Sequence, residues 1–113
     1  MNEGCIFCKI VRGDFNTEFV AETERAVAFN DISPAAPVHV LVVPKEHITA
    51  LRNLDDPSLG AELLGLAREV AKTSGLHDSG YRVITNDGEE AGQSVWHLHF
   101  HVLGGRKLAT SMG

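Results

Sequence analysis

Cysteine is scarce in this chain, with two among 113 residues. Two thiols cannot form the disulfide framework of a small secreted domain, so the fold has to rest on a packed core. Aromatic residues are also few, at 6%. No apolar run approaches the roughly 18 residues that a membrane-spanning helix requires, so no membrane partner is expected. Positive charge is in deficit: the formal net charge is −5 with the histidines neutral. A nucleic-acid partner is therefore not expected, because such proteins neutralise phosphates with basic patches. The first residues, Met1-Asn2-Glu3-Gly4, carry neither the basic nor the apolar stretch of a secretory signal. A cytoplasmic, reducing setting is expected, in which the two thiols stay unpaired.

What is present is ordinary for a globule: 43% of residues are apolar. A chain of this size buries roughly two-thirds of the surface that its unfolded form exposes, enough for a core. A single domain over residues 1–113 is expected, with no internal repeat, low-complexity tract or linker. Cys5 to Val11 reads as a short helix ending near Gly13. Phe19–Glu22 and Arg25–Asn30 read as strands joined at Thr23-Glu24. The two prolines of Ile32–Pro37 predict a loop, and Val38–Val43, rich in β-branched residues, predicts a strand ended by Pro44. Asp56-Pro57 is a helix start, followed by Leu59, Leu63, Leu66, Ala67 and Val70 at helical spacing and Gly75 as the stop. Tyr81–Asn86 reads as a further strand. The order of elements predicts an α+β domain with a mostly antiparallel sheet around one main helix.

Half of the six histidines fall within five residues, in the run His97-Leu98-His99-Phe100-His101-Val102. Strict alternation predicts a strand from about Val95 to Leu103, with the imidazoles on one face about 7 Å apart and Leu98, Phe100 and Val102 on the other. Each buried imidazole needs a partner for a ring nitrogen, so three together suit a working site better than a core. A chance cluster on a wet face is the plain alternative. Zinc shared between imidazoles two apart is the serious one, but no carboxylate lies near the strand to complete a catalytic shell. The preceding loop, Gly88-Glu89-Glu90-Ala91-Gly92-Gln93-Ser94, has the glycines that let a backbone approach an anion, with Glu89 and Glu90 expected to face solvent. Phosphate chemistry fits better than metal chemistry.

The run from Gly92 to Arg106 (GQSVWHLHFHVLGGR) resembles the histidine triad (HIT) superfamily, and its GQS and HVLGGR segments resemble the Hint branch within it. The similarity extends to Phe29-Asn30-Asp31-Ile32-Ser33-Pro34, to Pro37-Val38-His39 and to Val43-Pro44-Lys45-Glu46-His47-Ile48, covering the chain from about Cys5 to Arg106. The resemblance implies a HIT-like fold with about five strands, one main helix and a short N-terminal helix. It also implies hydrolysis or transfer at the α-phosphate of a purine nucleotide, such as a nucleoside 5′-phosphoramidate, with no catalytic cofactor. The middle histidine of the motif is His99, the implied nucleophile forming a nucleotidyl-histidine intermediate. His101 then supports the phosphate charge and His39 is a supporting histidine. Ser94 matches a contact to phosphate or leaving group, and Asn86, Gly92 and Gln93 fall at the phosphate site. Turn chemistry accounts for Ser94, Asn86 and Gln93 equally well without the resemblance.

Asp31 matches the acidic residue that holds the ribose hydroxyls, while Ile6, Phe7, Ile10, Phe29, Ile32 and Leu41 match the apolar slot for the base. Each of those six would otherwise read as core. The chain departs from the animal Hint pattern at its end, where Lys107-Leu108-Ala109-Thr110-Ser111-Met112-Gly113 replaces a tryptophan-proline segment that reaches a neighbouring site. The resemblance further implies a two-fold homodimer joined at sheet edges and along the main helix. That helix has apolar residues beyond a single stripe, Leu63, Leu64, Leu66 and Ala67. Three other readings remain: a dinucleoside polyphosphate hydrolase of the same superfamily, a nucleotide-binding regulatory protein with incidental hydrolysis, and a zinc-binding structural protein, the last favoured only if nucleotide binding is absent.

Cys5 and Cys8 form a C-x-x-C pair. A thioredoxin-like redox motif would need a strand before it, and none is expected. Two buried, inert thiols are the simplest reading. A structural zinc needs two more ligands. The resemblance implies His47 and His97 for these places, because bacterial-type relatives carry zinc at the matching positions.

Overall fold

The computed structural model describes residues 3–113; Met1 and Asn2, half of the N-terminal segment read for a signal, lie outside the described residues. Helix α1 spans Ile6–Arg12, followed by strands β1 (Ala21–Glu22), β2 (Ala26–Asn30) and β3 (Val38–Pro44). Helix α2 (Pro57–Thr73) and strands β4 (Tyr81–Ile84) and β5 (Phe100–Gly104) complete the set, with single 3-10 turns at Leu51–Asn53 and Glu89–Ala91. The strands form one antiparallel sheet in the order β1-β2-β3-β5-β4. The α+β arrangement is the one expected. No helix among the described residues is long and apolar enough to cross a membrane.

Both helices start on side chains that accept orphan amides. The Cys5 thiol sits 3.3 Å from the Cys8 amide and caps α1, and Gly13, at φ 92°, closes it. A left-handed residue there turns the chain sharply, at no steric cost to glycine. Asp56 caps α2 by accepting from Ser58 and Leu59 N–H, with Pro57 in the first turn. The apolar stripe of α2 then buries Leu59, Leu63, Leu66, Ala67 and Val70 against one face of the sheet, on Ala26, Ala28, Val40, Val42, Phe100 and Val102. The alternate residues of the same strands face the other way. There Val27, Phe29, Leu41 and Val43 pack with Phe7 and Cys8 of α1. Because α1 is so short, it covers only part of this second face, and the remainder is left for the histidines.

Several strand limits differ from the expected ones. Strand β1 holds only Ala21–Glu22, and β2 starts at Ala26 because the Arg25 amide is taken by the Glu62 carboxylate at 2.8 Å. Strand β3 runs one residue further than expected and includes Pro44, which needs no ladder amide at its end. Strand β4 stops at Ile84, and Thr85 instead sends its hydroxyl to the His99 carbonyl at 2.7 Å. The largest difference is in β5, which begins at Phe100 and not near Val95. Before it the Leu98 amide donates to the Ile48 carbonyl at 2.6 Å, so the chain there is tied to the loop after β3 and not to a sheet ladder. His97 and His99 therefore lie in a bent approach, and only His101 of the three is in the strand.

Leu63 is fully enclosed between α2 and the sheet. Truncation to alanine removes its contacts and leaves a cavity, so Leu63→Ala should lower stability by about 2–5 kcal/mol. Urea unfolding monitored by circular dichroism measures this as a lower midpoint at unchanged slope.

Candidate functional site

His39 and His101 come from neighbouring strands, on the face that α1 only partly covers. In the ladder Leu41 opposes His101, and His39 opposes Leu103. The two imidazoles lie diagonally, with His39 Nε2 2.9 Å from His101 Nδ1. Their proton positions follow from the surrounding donors. The Ala35 amide donates to His39 Nδ1 at 3.0 Å, so neutral His39 carries its proton on Nε2. That proton is donated to His101 Nδ1, which places the proton of His101 on its own Nε2. His99 is fixed from the backbone: its Nδ1–H donates to the His97 carbonyl at 2.7 Å. The lone pair of His99 is consequently on Nε2.

The rings of His99 and His101 are 5.0 Å apart, and Phe7 stands edge-on to His99 at 5.1 Å. Burial of His99 lowers its pKa, opposed by the bond to the His97 carbonyl and by the Asp31 charge. Burial, helped by His99 and His39 nearby, pushes His101 down to about 4. Both rings are thus neutral at pH 7, the state in which His99 Nε2 is an unprotonated nucleophile and His101 Nε2–H a hydrogen-bond donor.

Beside this pair is a cavity of about 260 Å³. Its walls include Ile6, Phe7, Ile10, Phe29, Ile32 and Leu41, all six residues named for the apolar slot, together with Asp31. Asp31 Oδ1 accepts from the Ser33 amide at 2.8 Å, and Oδ2 lies 3.5 Å from His39 Nε2. The slot and the histidines are therefore contiguous, with a carboxylate between them. Thr17, Asn30 and Val95 also line the slot and were not singled out from the sequence. Val95 could have been found as the apolar residue between Ser94 and the triad, but Thr17 carries no signal.

The loop before the triad is braced from below. Arg52 pairs with Asp87 at 2.7 Å and its guanidinium lies so close to Gly88 that a Cβ there would stand 2.7 Å from Nη2. Gly88 also has φ 96°, so the position suits glycine on both counts. Gln93 is buried, and its amide is committed to the backbone: Oε1 accepts from Gly88 and Nε2 donates to the Thr49 and Val95 carbonyls. This side chain shapes the loop. Gly92, at φ 84°, and Ser94 are exposed, as are Glu89 and Glu90, while Asn86 is half-buried. Ser94 opens onto a second cavity of about 390 Å³, lined also by Cys5, His47, Thr49 and Trp96, and separated from the slot by Ile6 and Val95.

Cys5, Cys8, His47 and His97 converge, with one potential ligand atom of each within 4.8 Å of all the others. Cys5 Sγ lies 3.3 Å and Cys8 Sγ 3.5 Å from His97 Nδ1, and Cys8 Sγ lies 3.2 Å from His47 Nδ1. Bonds of about 2.3 Å to sulfur and 2.0–2.1 Å to nitrogen in a tetrahedron place S and N about 3.5 Å apart, so the four residues fit a closed N2S2 ion site. His97 Nε2–H donates to the Pro44 carbonyl at 2.8 Å, which turns the Nδ1 lone pair toward the sulfurs. Burial pushes the Cys5 thiol up and His97 down to about 4, which favours the neutral form of each. Asp31, His39 and His101 also converge. That group does not fit a metal, because the Ala35 amide occupies His39 Nδ1 and keeps the proton on Nε2, the atom facing the cluster.

The chain is similar in sequence and fold to known proteins. The model of the HIT domain family matches residues 12–108. An uncharacterised 13.2 kDa HIT-like protein of Azospirillum brasilense is 44% identical over 106 residues, covering 91% of this chain and 87% of its own. The solved structure of a HIT family hydrolase from Clostridium thermocellum superposes with a TM-score of 0.93 at 42% identity, over 99% of each chain. That of a histidine triad nucleotide-binding protein from Candida albicans gives 0.80 at 34% identity, over 96% of this chain and 86% of that one.

The ion site predicts that the protein takes up a thiophilic divalent ion at about one per chain. The double substitution Cys5→Ser, Cys8→Ser should abolish that uptake and lower the melting temperature. Elemental analysis after dialysis reads the first effect and thermal unfolding the second.

Proposed function

The chain belongs to the HIT domain family, and from that premise we propose that it hydrolyses purine nucleotides at the α-phosphate, nucleoside 5′-phosphoramidates among them, through a covalent intermediate on His99. The observation that carries this reading is the proton arrangement of the histidines. The unprotonated nitrogens of His39 and His101 accept hydrogen bonds, while His99 Nε2 is left without a donor, next to Phe7 of the slot wall and with the Asp31 carboxylate near His39. The purine fills the slot, and the two ribose hydroxyls donate to Asp31. The α-phosphate then comes to rest over His99 and His101, with Ser94, Asn86 and the Gly92 turn along its edge.

In the first step a bond forms between His99 Nε2 and phosphorus while the bond from phosphorus to the leaving nitrogen breaks. The amine departs with one proton taken from solvent. Charge on the phosphoryl oxygens is met by His101 Nε2–H, and His39 holds that ring in place. As the imidazole becomes cationic, the His97 carbonyl stabilises its Nδ1–H. In the second step water attacks phosphorus as the bond from phosphorus to His99 Nε2 breaks, the 5′-nucleotide is released, one proton of the water passes to solvent, and His99 is neutral again. We propose zinc as the occupant of the Cys5, Cys8, His47 and His97 site. It would supply structural cross-linking and hold His97, and no ion takes part in the reaction.

A homodimer completes the proposal. Strand β4 is a sheet edge, and its Tyr81 and Val83 are each 38% exposed, while Leu64 of α2 is 54% exposed. An open edge with apolar side chains beside it favours pairing with a second copy. Light scattering at micromolar concentration should give twice the chain mass, and a monomer would overturn this part.

Rapid quenching of a reaction with an adenosine 5′-phosphoramidate should trap a nucleotidyl adduct that mass spectrometry maps to His99. His99→Ala should lose turnover by at least about 10³-fold while still binding AMP in calorimetry, because the slot and Asp31 remain. An adduct on another residue, or substantial turnover in His99→Ala, would overturn the mechanism.

A further inference from the structure

Seven of the ten residues lining the slot are apolar, and the other three are Thr17, Asn30 and Asp31. Asp31 is given to the ribose in the reading above. Asn30 ends β2, in which Ala26 and Ala28 face α2 while Val27 and Phe29 face α1. Alternation sends the Asn30 side chain toward the α2 side, so it lines the slot with its backbone. The Thr17 hydroxyl is left as the remaining polar side-chain group of the slot.

The chain bends to bring Thr17 there. Asn16, at φ 53°, is the one non-glycine residue in the left-handed region among the described residues, and its amide donates to the Gly13 carbonyl at 3.2 Å. Asparagine tolerates that conformation better than most residues. Beyond it Thr17 and Phe19 are half-buried while Glu18 and Val20 are exposed. Phe19 packs on the cluster of Phe29 and Leu41, the residues that also wall the slot, and Thr17 faces inward with it. Its hydroxyl is unspent. Of the half-buried threonines, Thr23 donates to Glu62 at 2.6 Å and Thr85 to the His99 carbonyl at 2.7 Å, whereas Thr17 makes no side-chain hydrogen bond among the described residues.

An occupant changes the standing of that hydroxyl. Solvent serves a half-buried hydroxyl beside an open slot, but a bound ring system excludes water and leaves it needing a partner on the ligand. A hydroxyl both donates and accepts. Purine edges suit either role, since adenine carries the N6 amino donor beside the N7 acceptor, and guanine the O6 and N7 acceptors. We infer that Thr17 reads the polar edge of the base by a direct hydrogen bond, and so sets the slot against ring systems of like shape whose edge is carbon only. A site that bonds a polar group rejects the analogue lacking it, because its own group is then left unpaired. This rests on the reading of the slot as the base site.

Calorimetry tests it with AMP and indole riboside 5′-monophosphate, whose base has the same bicyclic shape and no nitrogen on its edge. Ribose and phosphate contacts are common to both, so the ratio of the two dissociation constants isolates the edge. Thr17→Val keeps the shape and removes the hydroxyl, and should shift this ratio against AMP by about three- to tenfold. Thr17→Ser keeps the hydroxyl and should leave the ratio within about twofold of that of the unmodified protein. A ratio unmoved by Thr17→Val, or moved as far by Thr17→Ser, overturns the inference; should the valine variant not fold, Thr17→Ala is read in the same way. Binding of neither nucleotide by the unmodified protein overturns the reading of the slot and this inference together, whereas binding of both at an unmoved ratio overturns the inference alone.

Discussion

His97 is the residue on which the site depends, because two separate constraints meet in it. Its ring is held between Cys5, Cys8 and the Pro44 carbonyl, and its own carbonyl takes the Nδ1 proton of His99. An imidazole has two nitrogens and, when neutral, one proton. Binding that proton at Nδ1 is therefore the same act as baring Nε2. Burial does the rest by disfavouring the charged ring. The potential nucleophile is thus defined by a backbone bond from a residue that belongs to the neighbouring ion site.

The two sites are linked through a few residues of α1 as well. Cys5 caps this helix and Cys8 lies on its buried side, while Phe7 packs on His99 and Ile6, Phe7 and Ile10 form slot walls. A seven-residue helix buries too little surface to be stable alone. Its place is set by Phe7 against Phe29 and by the thiols against His47 and His97. An ion bridging those four side chains would fix the helix, and with it the slot, without touching the phosphate. An ion at the cluster and a ligand in the slot would thereby be separate in chemistry and joined in mechanics.

Much of the fold was legible in the residues because local chemistry decided it. Asp56-Pro57 starts α2 where capping demands, Gly13 ends α1, and the Val38–Val43 run pairs at the centre of the sheet. The apolar slot and the Cys-His cluster were expected only through resemblance, since Cys5 and His97 are 92 positions apart. Alternation misled in one place. HLHFHV reads as strand throughout, but its first half is bent because Leu98 bonds to Ile48, a partner 50 positions away in the chain. Gln93 shows a similar limit: its amide is spent on the backbone at Gly88, Thr49 and Val95, and no sequence pattern reveals which way an amide turns.

By itself, then, the sequence determined the element types, the faces of the central strands and the helix ends, because these follow from periodicity, capping and turn chemistry within a few residues. It also determined which side chains were available: three clustered imidazoles, two thiols and one aspartate beside a loop. Tertiary structure alone decided how each imidazole holds its proton. That choice rests on the Ala35 amide and on the carbonyls of His97 and Pro44, groups every residue possesses and only the fold can aim.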